Sequence, residues 1–254
     1  MSNRSKVEKM PKEREGLILE YLRERGEAAV GELCAALFVS EPTMRRALAR
    51  LAAEGKIIRT YGGAAYRGEL GENLPQDLRE REHSDAKTVI GRRCLDLIRD
   101  GDTVMVDGSS TAMALLRVLA ERKSVVVVTN SAKAPLFLGE SSLRVFVTGG
   151  EIAPHTYAYV GSYAEGFLRD FHADVCFFSV RTLTMDGALT DNAIAENAIR
   201  RVMLSRSDRS VLMLDSQKLG APCLNTLCHL SDVTHVVSER DISAHFPDYR
   251  HKFL

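Results

Sequence analysis

The apolar positions of this 254-residue chain follow two different periods. Over residues 13–25, Leu17, Ile18, Tyr21 and Leu22 recur at helical spacing, and Gly26 ends the pattern. Over residues 30–37, Val30, Leu33 and Leu37 line one face of a second helix. Val39-Ser40 reads as a turn, with Ser40 as an N-cap and Pro42 tolerated in the first turn of a third helix. That helix runs from about 41 to 54, where Gly55 stops it. Ile57-Ile58, Gly62-Gly63 and Ala64-Ala65-Tyr66 then fit a short hairpin with a glycine tip. Helices, turn, helix and hairpin in this order predict a winged helix-turn-helix domain over residues 1–66.

Residues 67–80 are polar and rich in glycine (Gly68, Gly71, then Pro75) and read as a linker. Beyond it the period changes. After a helix near 84–99, short β-branched runs end in polar or glycine-bearing turns: Thr103-Val104-Met105-Val106, Val125-Val126-Val127-Val128 and Arg144-Val145-Phe146-Val147. Further runs are Val175-Cys176-Phe177-Phe178, Val211-Leu212-Met213-Leu214 and His235-Val236-Val237. Most are nearly continuous in apolar character, as in strands covered on both faces. Helical patterns at about 111–121, 131–138, 158–169 and 193–206 alternate with them, which predicts an α/β domain with a mostly parallel sheet over residues 81–254.

Composition sharpens this division. The formal net charge is +0, yet residues 1–67 carry 13 Lys and Arg against 9 Asp and Glu, leaving 21 against 25 in the remainder. A basic head on an acidic body suits a nucleic-acid contact confined to the N-terminus. The cysteines (Cys34, Cys94, Cys176, Cys223, Cys228) are odd in number and scattered, which argues against a disulfide framework and for buried or half-buried thiols in a reduced, cytoplasmic setting. Neither Cys223, Cys228 and His229 nor His83, His155 and His172 match a metal spacing. No run approaches the roughly 20 apolar residues of a membrane span, and the polar N-terminus lacks a signal peptide's apolar core. Nothing in these patterns calls for a metal or cofactor.

On a helical wheel with Met44 at zero, Leu48 and Leu51 fall within about 40° and face the other helices. Pro42, Thr43, Arg46 and Arg50 lie opposite, with Arg45 on the flank. A helix with an apolar seam and an arginine-rich outer face can dock while presenting guanidinium groups to guanine O6 and N7. Arg59 and Tyr61, before the wing tip, are placed for phosphate, sugar or minor groove. The candidate DNA-binding residues are therefore Ser40, Thr43, Arg45, Arg46, Arg50, Arg59 and Tyr61. The competing reading, a solvated arginine face on a helical bundle, suits any one of them but explains the ordered set poorly.

Val39-Ser40-Glu41-Pro42-Thr43-Met44-Arg45-Arg46-Ala47-Leu48, then Gly55-Lys56-Ile57-Ile58-Arg59 and Gly62-Gly63-Ala64, resembles the N-terminal signature of the DeoR family of bacterial transcriptional regulators. Ala47 stands where that family usually has Asp. The resemblance covers nearly the whole chain. The C-terminal landmarks Asp107-Gly108-Ser109-Ser110-Thr111, Asn130-Ser131, Gly149-Gly150 and Asp215-Ser216-Gln217-Lys218 are similar to the family's sugar-phosphate sensing domain, whose fold resembles ribose-5-phosphate isomerase. The resemblance implies a double-stranded DNA operator, a phosphorylated sugar or related metabolite as effector, repression of carbohydrate-metabolism genes and a homo-oligomer, a dimer or tetramer.

In an open parallel sheet, ligands bind beyond the carboxyl ends of the strands, where each of these landmarks falls. Backbone N–H groups and hydroxyls of Ser109, Ser110 and Thr111 can cradle a phosphate at a helix terminus. Asp107 suits sugar hydroxyls, Asn130 offers donor and acceptor, and Lys218 offers a point cation. Gly149 and Gly150 complete the set. Ser109 stands where the family has glycine, narrowing the phosphate approach. Arg181 replaces part of a glycine-containing segment, and is either an added anion clamp or a partner for an acidic neighbour. Asp191, Asn192 and Glu196 either reach the cleft or simply suit a helix N-terminus. Small polar residues after strands also make ordinary turns and caps. A rival function, a sugar-phosphate isomerase-like enzyme with a DNA-binding appendage, would need a base and a cation beside a carbon acid. Asp107, Asp186, Asp215 and Lys218 are possible parts, without a paired constellation.

Overall fold

A computed structural model describes residues 11–54, 56–66, 76–153 and 156–254, side chains being described from residue 14 onward. Gly55, residues 67–75 and His155 lie outside the described residues, and with them the expected helix stop and most of the expected linker. The chain divides into two compact units, residues 1–82 and 83–254.

In the first unit, helices α1 (Pro11–Arg25), α2 (Val30–Leu37) and α3 (Glu41–Ala53) pack around Ile18, Leu22, Leu33, Met44, Leu48 and Leu51, all fully buried. The apolar seam expected for α3 is the observed one, and Thr43, expected on the opposite face, is half-buried. Of the stripe expected on α1, Ile18 and Leu22 are fully buried and Tyr21 is half-buried, while Leu17 is 45% exposed. Strands β2 (Ile57–Thr60) and β3 (Gly63–Tyr66) form the expected hairpin, but a third strand, β1 (Glu27–Ala29), pairs with β3 on its other side. The sequence Glu-Ala-Ala has no strand signature, so this pairing comes from tertiary placement. It also explains Gly63, because a Cβ there would lie 2.3 Å from the Ala28 carbonyl oxygen. The last part of the expected linker is instead helix α4 (Gln76–Arg81), anchored by a fully buried Gln76.

The second unit centres on a six-stranded parallel sheet in the order β14-β12-β9-β4-β5-β6. Its strands are β4 (Thr103–Val106), β5 (Val126–Thr129), β6 (Arg144–Val147), β9 (Ala173–Phe178), β12 (Ser207–Met213) and β14 (His235–Val237). Each expected strand is present, and alternation along each one supplies two cores. Val104, Val106, Val127, Phe177 and Met213 pack with helices α5 (Ser84–Leu95), α6 (Ser110–Leu119) and α7 (Ala134–Leu138). Met105, Val128, Cys176, Phe178 and Leu212 pack with α8 (Ser162–Arg169) and α9 (Ile194–Ser205) on the other face. Helices α5 and α6 approach closely at Gly91, where a Cβ would lie 2.8 Å from the Ala114 carbonyl carbon.

Two small antiparallel sheets have no counterpart among the elements expected from the sequence. One pairs β7 (Glu151–Ile152) with β8 (Tyr159–Val160), and the other orders β10 (Thr182–Leu183), β11 (Ala188–Asp191) and β13 (Asn225–His229) as β10-β11-β13. Their strands are too short or too polar to show a period. No described cysteine is exposed and none is bonded to another, and burial pushes the Cys176 and Cys228 thiols up to about 12.

Candidate functional site

The first candidate surface is the outer face of α3 with the β2–β3 wing. Ser40 has the extended backbone of an N-cap, but its hydroxyl donates to Thr43 Oγ1 at 3.0 Å instead of capping. Met44, Ala47, Leu48 and Leu51 are buried beneath, so Ser40, Pro42, Arg45, Arg46 and Arg50 face outward. The arginines are not equivalent. Arg45 folds back on Glu41, with Nη2 to Oε1 at 2.6 Å, in an exposed i,i+4 pair. Arg50 Nε meets Glu15 Oε1 at 2.9 Å and clasps α3 to α1. Among the described residues Arg46 bonds the Pro42 carbonyl alone, at 3.3 Å, and it remains exposed. Arg59 Nη1 reaches the Arg45 carbonyl at 3.4 Å, bringing the wing strand to α3. Tyr61 stands wholly in solvent at the wing tip. The helical wheel placed the α3 arginines on outward faces, while the ion pairs single out Arg46 as the one most available to a ligand. Ala47, where the family usually has Asp, is buried in the helix seam.

The second candidate site lies beyond the carboxyl ends of β4, β9 and β12. After β4 the chain turns through Asp107 and Gly108 into α6, where Ser109 is the N-cap and its Oγ accepts from the Ala112 N–H at 3.2 Å. Its φ of −70° is ordinary for any residue, so the serine costs the loop no strain, and its side chain is engaged in the cap. Ser110 and Thr111 open the helix and are buried. Lys218, from the turn after β12, donates to Ser179 Oγ at 2.8 Å and to Thr111 Oγ1 at 3.2 Å, with Asp215 Oδ2 at 3.7 Å. Three strand ends thus meet at one ammonium group, held by the Ser179 and Thr111 hydroxyls with the buried Asp215 carboxylate beside them.

Asp107 takes a different role from the one expected. It is 2% exposed, and its Oδ2 accepts from Arg200 Nε at 2.9 Å while its Oδ1 accepts from the Ser109 N–H at 3.2 Å. A buried carboxylate needs such partners, and these leave it poorly placed to receive sugar hydroxyls. Arg200, on α9, also meets Asp191 Oδ2 at 2.9 Å and Glu196 Oε2 at 3.2 Å, and is itself buried. Asp191 and Glu196 are therefore neither free cleft ligands nor mere helix-terminal charges. Burial by itself would push the Asp191 carboxyl up, but the Arg200 guanidinium, the Ala193 and Asn192 N–H groups and the more distant Lys218 together outweigh burial and hold it below its ordinary value. Sequence reasoning missed Arg200, although the i,i+4 spacing of Glu196 and Arg200 was a visible signal.

Asn130, after β5, donates Nδ2 to the Tyr159 carbonyl at 2.9 Å, while its buried Oδ1 has no hydrogen-bond partner among the described residues. Asp215 Oδ1 is likewise buried and without a partner among the described residues. Gly149 and Gly150 have φ of 64° and 109°, and Gly150 turns against Val160 and α8. Arg181 is half-buried after β9, and no carboxylate pairs with it among the described residues. Asn192 is occupied, its Oδ1 accepting from the Leu224 N–H at 3.0 Å. No group of described His, Cys, Asp or Glu residues has the arrangement of a metal site.

Two family models account for both units: the DeoR-like helix-turn-helix domain matches residues 14–69, and the DeoR C terminal sensor domain matches residues 82–240. The chain belongs to the DeoR family of transcriptional regulators. The L-fucose operon activator of Haemophilus influenzae is 27% identical to this DeoR-family chain over 93% of its length and 95% of the activator's. The transcriptional repressor CsqR of Escherichia coli is 28% identical over 87% of the chain and 85% of the repressor. Among solved structures, ribose 5-phosphate isomerase A from Methanocaldococcus jannaschii aligns with a TM-score of 0.41 at 15% identity, over 54% of this chain and 55% of the isomerase. No described helix of this family member is long and apolar enough to cross a membrane.

Proposed function

We propose that this DeoR-family regulator is a repressor of carbohydrate-metabolism genes whose operator binding is controlled by a phosphorylated sugar or related metabolite. DNA contact belongs to α3 and the wing, and effector binding to the strand-end cleft of the second unit. The observation that carries the effector half is Lys218, an ammonium held by Thr111 and Ser179 hydroxyls at the start of α6. The neighbouring helix terminus offers N–H groups to the same anion. The unpartnered acceptors Asn130 Oδ1 and Asp215 Oδ1 are suited to hydroxyl donors. Asp107 and Arg200 support the loop from beneath.

The regulator works as a homo-oligomer, because one small helix-turn-helix has too few contacts for specificity and paired half-sites supply the rest. Effector and operator are linked by a coupling free energy of about 1–3 kcal/mol. In this reading the site binds its ligand without turning it over, and Asp107, one of the possible bases, is committed to Arg200.

The test is fluorescence anisotropy of the protein on duplex DNA from upstream of its own gene, at fixed salt with excess nonspecific competitor and a panel of sugar phosphates. Specific binding released by one phosphorylated sugar supports the whole reading. Specific binding that no member of the panel changes refutes the effector class, and turnover of ribose 5-phosphate refutes the assignment as a regulator without catalysis.

A further inference from the structure

Helix α2 ends in a conformation its sequence does not favour. Phe38 occupies the left-handed region, with φ 52° and ψ 43°, and the N–H groups of Phe38 and Val39 both return to the Cys34 carbonyl. Glycine, or sometimes asparagine, is the usual residue there, because a side chain meets steric strain in this region and a bulky one is an outlier. The apolar contact that accompanies such caps falls to Val39, which is buried. The Phe38 ring gains nothing from the core in return: it is 76% exposed. One exposed hydrophobic residue is ordinary, but exposure and backbone strain at the same residue are two separate costs. Strain of this kind gathers where function uses it.

Its position suggests the use. Phe38 lies in the turn of the helix-turn-helix, two residues before Ser40, the N-cap of α3. Ser40, Glu41 and Pro42, which follow it closely in the chain, are also exposed. In this motif the N-terminal residues of the second helix reach base edges while the first helix crosses the backbone. A ring between the two faces the rim of the groove. Phenylalanine has no hydrogen-bonding group to offer there, and the apolar parts of DNA within reach are thymine C5-methyls and deoxyribose.

We propose that Phe38 makes an apolar contact with DNA at the edge of the recognition surface, retained at the expense of domain stability. The inference rests on the operator-binding reading above. It predicts that removing the ring strengthens the fold and weakens the complex, a combination that no purely structural role gives.

The experiment compares the wild-type chain with Phe38→Asn and Phe38→Gly, both tolerant of the left-handed region. The probes are the upstream fragment and the same fragment with uracil in place of thymine. For both variants the thermal midpoint of the first unit rises, by roughly 4 °C, while affinity for the thymine fragment falls about fivefold or more. The slope of log affinity against log salt is unchanged, because an apolar contact releases no counterions. If the ring meets thymine methyls, uracil weakens the wild type more than it weakens the variants. If it meets deoxyribose, the variants lose equally on both fragments. Variant affinities within twofold of wild type overturn the proposal while leaving operator binding intact. A wild-type chain that binds no DNA overturns the operator reading and this inference together.

Discussion

Replacing Arg200 with methionine removes the charge that holds together Asp107, Asp191 and Glu196 while keeping most of the side-chain volume. The guanidinium is 4% exposed, and its contacts to the three carboxylates run from 2.9 to 3.2 Å. Removing one partner of a buried pair typically costs about 3–5 kcal/mol, because uncompensated charge is left behind. For a unit of this size each kcal/mol moves the midpoint by about 2–4 °C, so the second unit should melt roughly 6–20 °C lower at pH 7.

The sign with pH follows from Asp191. Its folded pKa is depressed below the ordinary value of 3.8, so in the wild type its pairing stabilises above that value and is lost as pH falls through the folded one. In Arg200→Met the same carboxyl keeps its burial and loses the guanidinium, while the Ala193 and Asn192 N–H groups and the more distant Lys218 still favour its charge. Its pKa rises, and acid relieves it. The gap between variant and wild type is therefore widest near pH 7 and closes toward about pH 4. Differential scanning calorimetry across this range, following the transition of the second unit, measures both quantities. A gap under about 1 kcal/mol at pH 7, or one that does not change with pH, refutes the view that this cluster secures the β4–α6 loop.

Arg46→Ala should abolish specific operator binding in anisotropy while ligand-induced stabilisation of the second unit persists, and loss of both would refute the division of labour. Arg50→Ala should lower the stability of the first unit by no more than about 1 kcal/mol, since its bond to Glu15 is half-exposed. Its effect on operator affinity should be smaller than that of Arg46→Ala, and the reverse order in the same titration would show that the Glu15 clasp opens on DNA. Lys218→Met should weaken phosphorylated sugars in a thermal-shift titration by about tenfold, some 1.4 kcal/mol, while sparing operator affinity. Unchanged ligand affinity would remove Lys218 from the site. Gly63→Ala places a Cβ against the Ala28 carbonyl, and overpacking of this kind costs about 1–3 kcal/mol in chemical denaturation. A neutral result would show that β1 does not pair with the wing.

The chain's periodicities determined its architecture, because burial imposes a local pattern. Met44, Leu48 and Leu51 seat α3, and the apolar runs ending at Val106, Thr129, Phe178 and Met213 supply strands covered on both sides. The glycines at the wing and the polar residues after the strands were legible for the same reason: turns and caps are short-range demands. What tertiary structure decided is how the charges are used. Arg200 and Asp107 lie 93 residues apart, and only the path of α9 across the sheet brings them to 2.9 Å. The wheel showed Arg45, Arg46 and Arg50 on outward faces, but the carboxylates of Glu41 and Glu15 set them apart. Strand β1, with nothing in its own sequence to form it, exists because β3 offers an unpaired edge beside α2. A period reports which face of an element meets the core. It carries no information about which distant residue waits on the other side.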